Sequence, residues 1–327
     1  MSFKGQLLKA GISSDGRNVD LFHDDGTFKV AGDVDFEGNV TWGNPTGAAD
    51  YFVDGNVSAT GAGSLASPYS TLAEAIAASN TSIGSTANRW WARRNRIFVM
   101  GDGIEESLTV FPEKCDIIGI GSDLYPFPRI IGAHTIAVAK VGCRLINMGW
   151  QASGTGDLFV LPAGCHGFQV LGGWAQPSTT GNTKAFELTD CANVNINGLV
   201  IQQNPGAYGT GIFGVGIDIQ GTASNHQTII DSVQIEATKG VYFVASAPAY
   251  GSAIKNSLIK ATGMVIQDVS DVVQVVNNNL ISAANDDGSG TGASADAIFC
   301  NTSLAAGNRL TCGDHLNAPF PIEGTLA

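Results

Sequence analysis

Charge is scarce in this chain: only 14% of its 327 residues are Asp, Glu, Lys or Arg, and 29 acids outnumber 17 bases for a net charge of −12. A polyphosphate partner would be repelled by that balance, so non-specific nucleic-acid binding is excluded from the reading. No apolar run approaches the roughly 18 residues of a membrane span. The opening Met1-Ser2-Phe3-Lys4-Gly5 lacks the apolar stretch of a secretory signal, so a soluble protein with no leader removed is expected. No Cys-x-x-Cys pair occurs, and the five histidines (His23, His134, His166, His226 and His315) are scattered, which leaves a zinc site without support. No metal or other cofactor is expected.

What is abundant is glycine, with 42 residues, and a repeated phrase. After residue 130 a short apolar strand, a turn and a second short strand recur. The first strands are anchored on Ile136, Leu158, Phe186, Ile217, Val241, Met264 and Ile298; the step from Ile136 to Leu158 is 22 residues and that from Met264 to Ile298 is 34. The second strands are anchored on Asn147, Gly172, Asn197, Asp231, Asn256 and Asn278. A period that drifts while its strand pattern persists suits a solenoid, because each rung pairs only with its neighbours and surplus residues leave as loops. The expected fold is therefore all-β, a parallel β-helix.

Alternation sets the inward face as Ile136/Val138, Leu158/Val160, Phe186/Leu188, Ile217/Ile219, Val241/Phe243, Met264/Ile266 and Ile298/Cys300, all apolar. Cys143, Cys165 and Cys191 follow successive anchors at similar distances. Stacked thiols as small apolar fillers are the first reading, with a disulfide or a metal site as alternatives.

Residues 1–46 differ from the rest. Gly26, Gly32 and Gly38 are evenly spaced, each followed two residues later by Phe28, Val34 or Val40, with Phe36 and Trp42 in the same stretch. Such short strands bury too little to stand alone, so intertwining with other copies in a homotrimer is expected, a flexible tail being the alternative. Residues 47–95 read as a linker and cap: Ser70 or Thr71 begins a helix with Leu72, Ala75 and Ile76 on one face, suited to plugging the open end of a solenoid. Residues 96–315 form the solenoid and 316–327 a tail.

Residues 51–79, with Ile97–Glu106 and Asp116–Gly121, resemble the amino-terminal end of right-handed, pectate-lyase-like β-helix proteins, over roughly residues 51 to 315. That superfamily includes phage tailspikes, polysaccharide lyases and hydrolases. The amino-terminal glycine hexads resemble those of trimeric phage fibre and head-decoration proteins. Together these resemblances imply a virion surface protein of a tailed bacteriophage, assembled in the host cytoplasm, with capsid or tail proteins as partners and host surface polysaccharide as a ligand.

Alternation turns Ala137, Phe159, Glu187, Asp218, Tyr242, Val265 and Phe299 outward in one column. With rungs about 4.8 Å apart, Glu187 and Asp218 would approach the ~5 to 5.5 Å carboxyl separation of retaining glycosidases, flanked by Phe159 and Tyr242 as sugar platforms. Phe159, Tyr242, Val265 and Phe299 equally suit subunit contact or glycan binding without turnover. A lyase reading lacks a cation set, since only Lys140, Arg144, Lys184, Lys239, Lys255, Lys260 and Arg309 follow residue 130. Asp286-Asp287-Gly288 is a calcium-like patch or a plain turn. Arg89, Arg93, Arg94 and Arg96 beside Trp90 and Trp91 suit docking to the virion, sugar stacking, or a loop whose arginines pair within the chain.

Overall fold

In a computed structural model of the protein the described residues are 48–84, 93–101, 103–121, 128–207, 210–222, 227–244, 249–268, 273–282, 298–300, 305–306 and 308–311. The chain divides into two units, Met1–Trp42 and Gly43–Ala327. The amino-terminal hexads lie outside the described residues, and the second unit carries the account below.

Strands dominate that unit, and every strand pair joins in parallel, in one sheet of 10 strands and one of 15. Three ladders are visible in the pairing. The first runs from Asp50–Asp54 through Asn95–Met100, Cys115–Gly119, Arg144–Ile146 and Gln169–Leu171 to Ala305–Ala306. The second includes Arg129–Gly132, Gly149–Ala152 and Trp174–Gln176; the third includes Phe159–Leu161, Asn182–Thr189 and Phe213–Gln220. The long strand Gln234–Phe243 serves both, pairing through Gln234 with Val200 and through Val241 with Ile217. Along the sequence one strand from each ladder follows in turn, and each pairs with its counterpart a repeat later. That is the organisation expected of an all-β parallel solenoid.

The corner between first and second ladders is set by backbone chemistry. Asn147, Gly172, Gly198, Ser232, Asn256 and Asn277 occupy it in successive repeats, all with φ between 51° and 70°. Glycine and asparagine tolerate that left-handed conformation best, which is why the second-strand anchors were legible as Gly and Asn in the sequence. Three anchors shift by one: the corner residue is Gly198, Ser232 and Asn277, beside Asn197, Asp231 and Asn278.

Next to this corner the interior turns polar toward the carboxyl end. The equivalent residue is Leu199, then Val233, Ser257, Asn278 and Asn308. Asn278, 2% exposed, accepts the Ser257 N–H at 2.9 Å and donates to Ile254 O and Asn308 Oδ1 at 3.0 Å. Asn308 repeats the arrangement one step on, donating to Val275 O at 2.7 Å. Each side chain thus stitches one repeat to the previous one. Asn278→Ala would strand a buried N–H and a carbonyl, and a loss of about 2–3 kcal/mol is expected from unmet buried hydrogen bonds. The check is urea denaturation, with hydrogen exchange rising first in residues 253–282.

The amino-terminal end of the ladders is closed. Helix α1, Leu72–Ile83, starts at Thr71, whose side chain accepts the Glu74 N–H while Glu74 reaches back, a capping box. Glu106 adds a second cap, accepting the Leu72 and Ala73 N–H groups at 2.7 and 3.1 Å. Burial raises its pKa, opposed by those hydrogen bonds. Leu72, Ala75 and Ile76 join the core with Val53, Ile97 and Val99. The free edge of Asp50–Asp54 is covered too, by hydrogen bonds from Phe52 to Gly63 and from Tyr69 to Phe52.

Cys115, Cys143, Cys165 and Cys191 are buried and none is in a disulfide, so these four cysteines are packing residues. Burial pushes the Cys115 thiol up to about 12 and Cys143 well above its ordinary value.

Candidate functional site

The third ladder carries the residues on which a binding or catalytic function would rest. Its registers place Phe186, Ile217, Val241 and Ile266 in line on the inward side, and Leu188, Ile219 and Phe243 in the next inward row. The outward row reads Val160, Glu187, Asp218, Tyr242 and Gln267; the backbone of Phe299 pairs with Gln267, and its side chain lies outside the description.

Five of the predicted outward or inward row assignments are corrected: Phe159, Val160, Val265, Met264 and Val138. Phe159, expected outward, is 0% exposed and pairs with Phe186, while Val160 takes the outward place. Residues 158–161 are all apolar, so alternation had no polar partner to fix its frame, and a slip of one residue reverses the face. Val265 is also 0% exposed, because Val241 pairs with Ile266 rather than with Met264. Met264 and Val265 instead form the bend before the strand. At the start of the ladder His134, not Val138, shares the inward side with Ile136; Val138 is 53% exposed. Neither Phe159 nor Val265 can therefore touch a glycan or another subunit. Tyr242 remains part-exposed on the outer row.

Glu187 and Asp218 do come together, and a lysine comes with them. Lys184 Nζ forms ion pairs with Glu187 and, at 2.5 Å, with Asp218. Lys184 and Glu187 are three residues apart, a spacing that alternation puts on opposite faces. They share a face because the strand turns at Ala185 and Phe186, both of which are buried. Gly216 and Gly240 occupy the position of Ala185 in the following strands, and a Cβ on Gly216 would lie 2.7 Å from the Gly240 carbonyl oxygen. The bend needs small residues there. Two strands further, Lys239 repeats the spacing, its Nζ 5.8 Å from the ring centroid of Tyr242. Lys184 was read in the sequence only as one of a few scattered cations; the small residues Ala185, Gly216 and Gly240, at matching positions inside the three strands, were the signal that a bend would bring it to the acids.

Asp218 is 2% exposed; its Oδ2 takes the Lys184 ammonium and a hydrogen bond from Gln220 Nε2 at 2.6 Å, and its Oδ1 has no hydrogen-bond partner. Burial pulls the Lys184 pKa down, but the hydrogen bonds and charges of Asp218 and Glu187 outweigh it and leave the pKa raised. Asp157, before Leu158, sits near enough to feel all three: burial raises its pKa, Lys184 opposes that, and the negative charges of Glu187 and Asp218 add to it. Both acids are engaged by one lysine; Asp218 is closed off from solvent and Glu187 is part-exposed. The arrangement is an ion-pair clamp across adjacent strands.

Among the described residues no three of His, Cys, Asp and Glu are placed to hold a metal ion. Asp286, Asp287 and Gly288 lie outside the described residues, as do Phe28, Val34, Phe36, Val40, Trp42, Arg89, Trp90 and Trp91. The described arginines of the basic run are engaged within the chain. Arg93 donates to Ser82 O at 3.4 Å, Arg94 to Asp116 at 2.8 Å and Gly142 O at 2.9 Å, and Arg96 binds Asp50 in a fork at 2.7 and 2.8 Å. Asp116 is held from its other side by Arg144, at 2.5 and 2.6 Å.

No family model, curated protein or solved structure matches this chain.

Proposed function

We propose that this chain is a right-handed parallel β-helix that serves as a structural surface protein of a tailed-bacteriophage particle, a capsid decoration or a spike. Residues 1–46 attach and trimerise it, and the stacked ladders project as a rigid body. The resemblance of residues 51–79 and of the glycine hexads supports the class of protein, and the strong preference of parallel crossovers for one hand supports the handedness.

The observation that carries the non-hydrolytic side of this reading is the clamp: Glu187 and Asp218 are both bound to Lys184, and Asp218 is 2% exposed. Ladders sewn together by side chains as well as backbone leave proteases few openings, which suits a particle that survives outside cells.

The test has two arms. Gold-labelled antibody against the purified protein should decorate intact particles of the phage that encodes it; unlabelled particles would sink the virion placement. Incubation with host capsule or O-antigen should leave polysaccharide length unchanged. Release of oligosaccharide that disappears in Glu187→Gln would make the protein a depolymerase instead.

A further inference from the structure

The outer face of the first ladder carries an apolar stripe that crosses five successive strands. Phe52, Phe98, Ile118, Ile146 and Leu171 stand in direct register on that face, and all five are part-exposed. The Phe52 and Phe98 rings stack with centroids 5.2 Å apart, and Ile120, 46% exposed, extends the patch. Farther along the ladder the same row becomes Asn197, Asp231 and Lys255. Scattered apolar residues on a surface need no explanation; an unbroken row on a flat sheet marks a contact.

We propose that this face is where copies of this chain pack against one another. The inference rests on the reading of residues 1–46 as the association segment, and moves the subunit contact from the third ladder, where Phe159 and Val265 proved to be core, to the first.

Two observations select a second copy as the occupant. The first is charge. A chain of net charge −12 repels its own copies over most of its surface. On this face, however, Asp50 is paired with Arg96, Asp116 with Arg94 and Arg144, and Asp231 with Lys255. The row Asp50, Arg96, Asp116, Arg144 alternates in sign along the register, so two such faces meet without net repulsion. The second is chain connection. The 47 residues that precede the described part lead straight into Asp50–Asp54, the strand that bears Phe52 at the head of the stripe. Copies joined through those residues are tethered next to the strand that heads the stripe.

The test uses the full chain with Cys300 and Cys312 changed to Ser. Mass is measured by analytical ultracentrifugation, and single cysteines are introduced as Ile146→Cys, Leu171→Cys and, as a control on another ladder, Lys260→Cys, whose parent side chain is 58% exposed. An oligomer in which a short bismaleimide links Ile146→Cys or Leu171→Cys about ten-fold more than Lys260→Cys, as proximity demands, is the expected result. An oligomer with equal or absent linking at positions 146 and 171 overturns this face and leaves the association segment standing. A monomer overturns both. Circular dichroism of each variant against the parent identifies any that has lost its fold, and with two stripe positions the outcome does not hang on one of them.

Discussion

Replacing Phe159 with alanine is expected to cost about 4 kcal/mol of stability, in the range for removing a fully buried aromatic ring. The ring is 0% exposed and stacked between His134 and Phe186, each at 4.9 Å between centroids, with Trp150 edge-on at 4.9 Å and Phe111 at 6.0 Å. These partners come from both neighbouring strands of the third ladder and from the second ladder, so the cavity cannot collapse by moving one residue. Chemical denaturation followed by tryptophan fluorescence checks the value, because Trp150 reports directly on the vacated space. The companion change Val160→Ala, one residue along but on the outer row, should cost less than about 1 kcal/mol, as surface changes do. Equal losses at both positions would mean that the register is wrong.

Acid should unfold the protein through His134. This imidazole is 0% exposed, its Nδ1 accepts the Leu108 N–H at 3.1 Å, and its Nε2 has no hydrogen-bond partner. Around it stand Trp150 and Phe159, with no charged group to stabilise an imidazolium. Burial lowers its pKa to about 3. The unfolded chain takes up a proton near the ordinary value of about 6.5, the folded chain only near 3, so stability is complete above that ordinary value and falls as the pH drops between the two. The slope is about 1.4 kcal/mol per pH unit for one proton, and about 3 kcal/mol is lost by pH 4. His134→Phe removes the titrating group. Denaturation midpoints measured from pH 7 to pH 4 should therefore fall more steeply for the parent than for the variant, by one proton's worth of slope, whatever the variant's stability at neutral pH. Identical slopes would show that the imidazole is not held neutral in the fold.

Particular residues show how far sequence reasoning reaches. Ser70 or Thr71 announced the helix start, because a cap is local chemistry; the structure selects Thr71, which exchanges hydrogen bonds with Glu74. Asn147, Gly172 and Asn256 were read as anchors of the second strands; they stand at the corner before those strands, where a left-handed backbone selects Asn and Gly. Glu187, Asp218 and Tyr242 were placed in one outer row because polar residues between apolar ones pin the alternation. Phe159 was misplaced where no polar neighbour pinned it, and Met264 where a bend absorbed two residues.

The sequence by itself, then, determined what depends on short-range chemistry and period: parallel strands in repeated order, the glycine and asparagine corners between them, the helix that follows Ser70 or Thr71, and the pairing of Glu187 with Asp218. Only the tertiary structure decided which apolar residue of an all-apolar run faces in, that Lys184 closes over the acid pair, and that the continuous apolar row belongs to the first ladder. The physical reason is that register between repeats is a contact between residues 20 or more positions apart, set by packing across the stack. Local pattern constrains each strand's faces but leaves a sliding freedom of one or two residues, and one residue of slip exchanges core for surface.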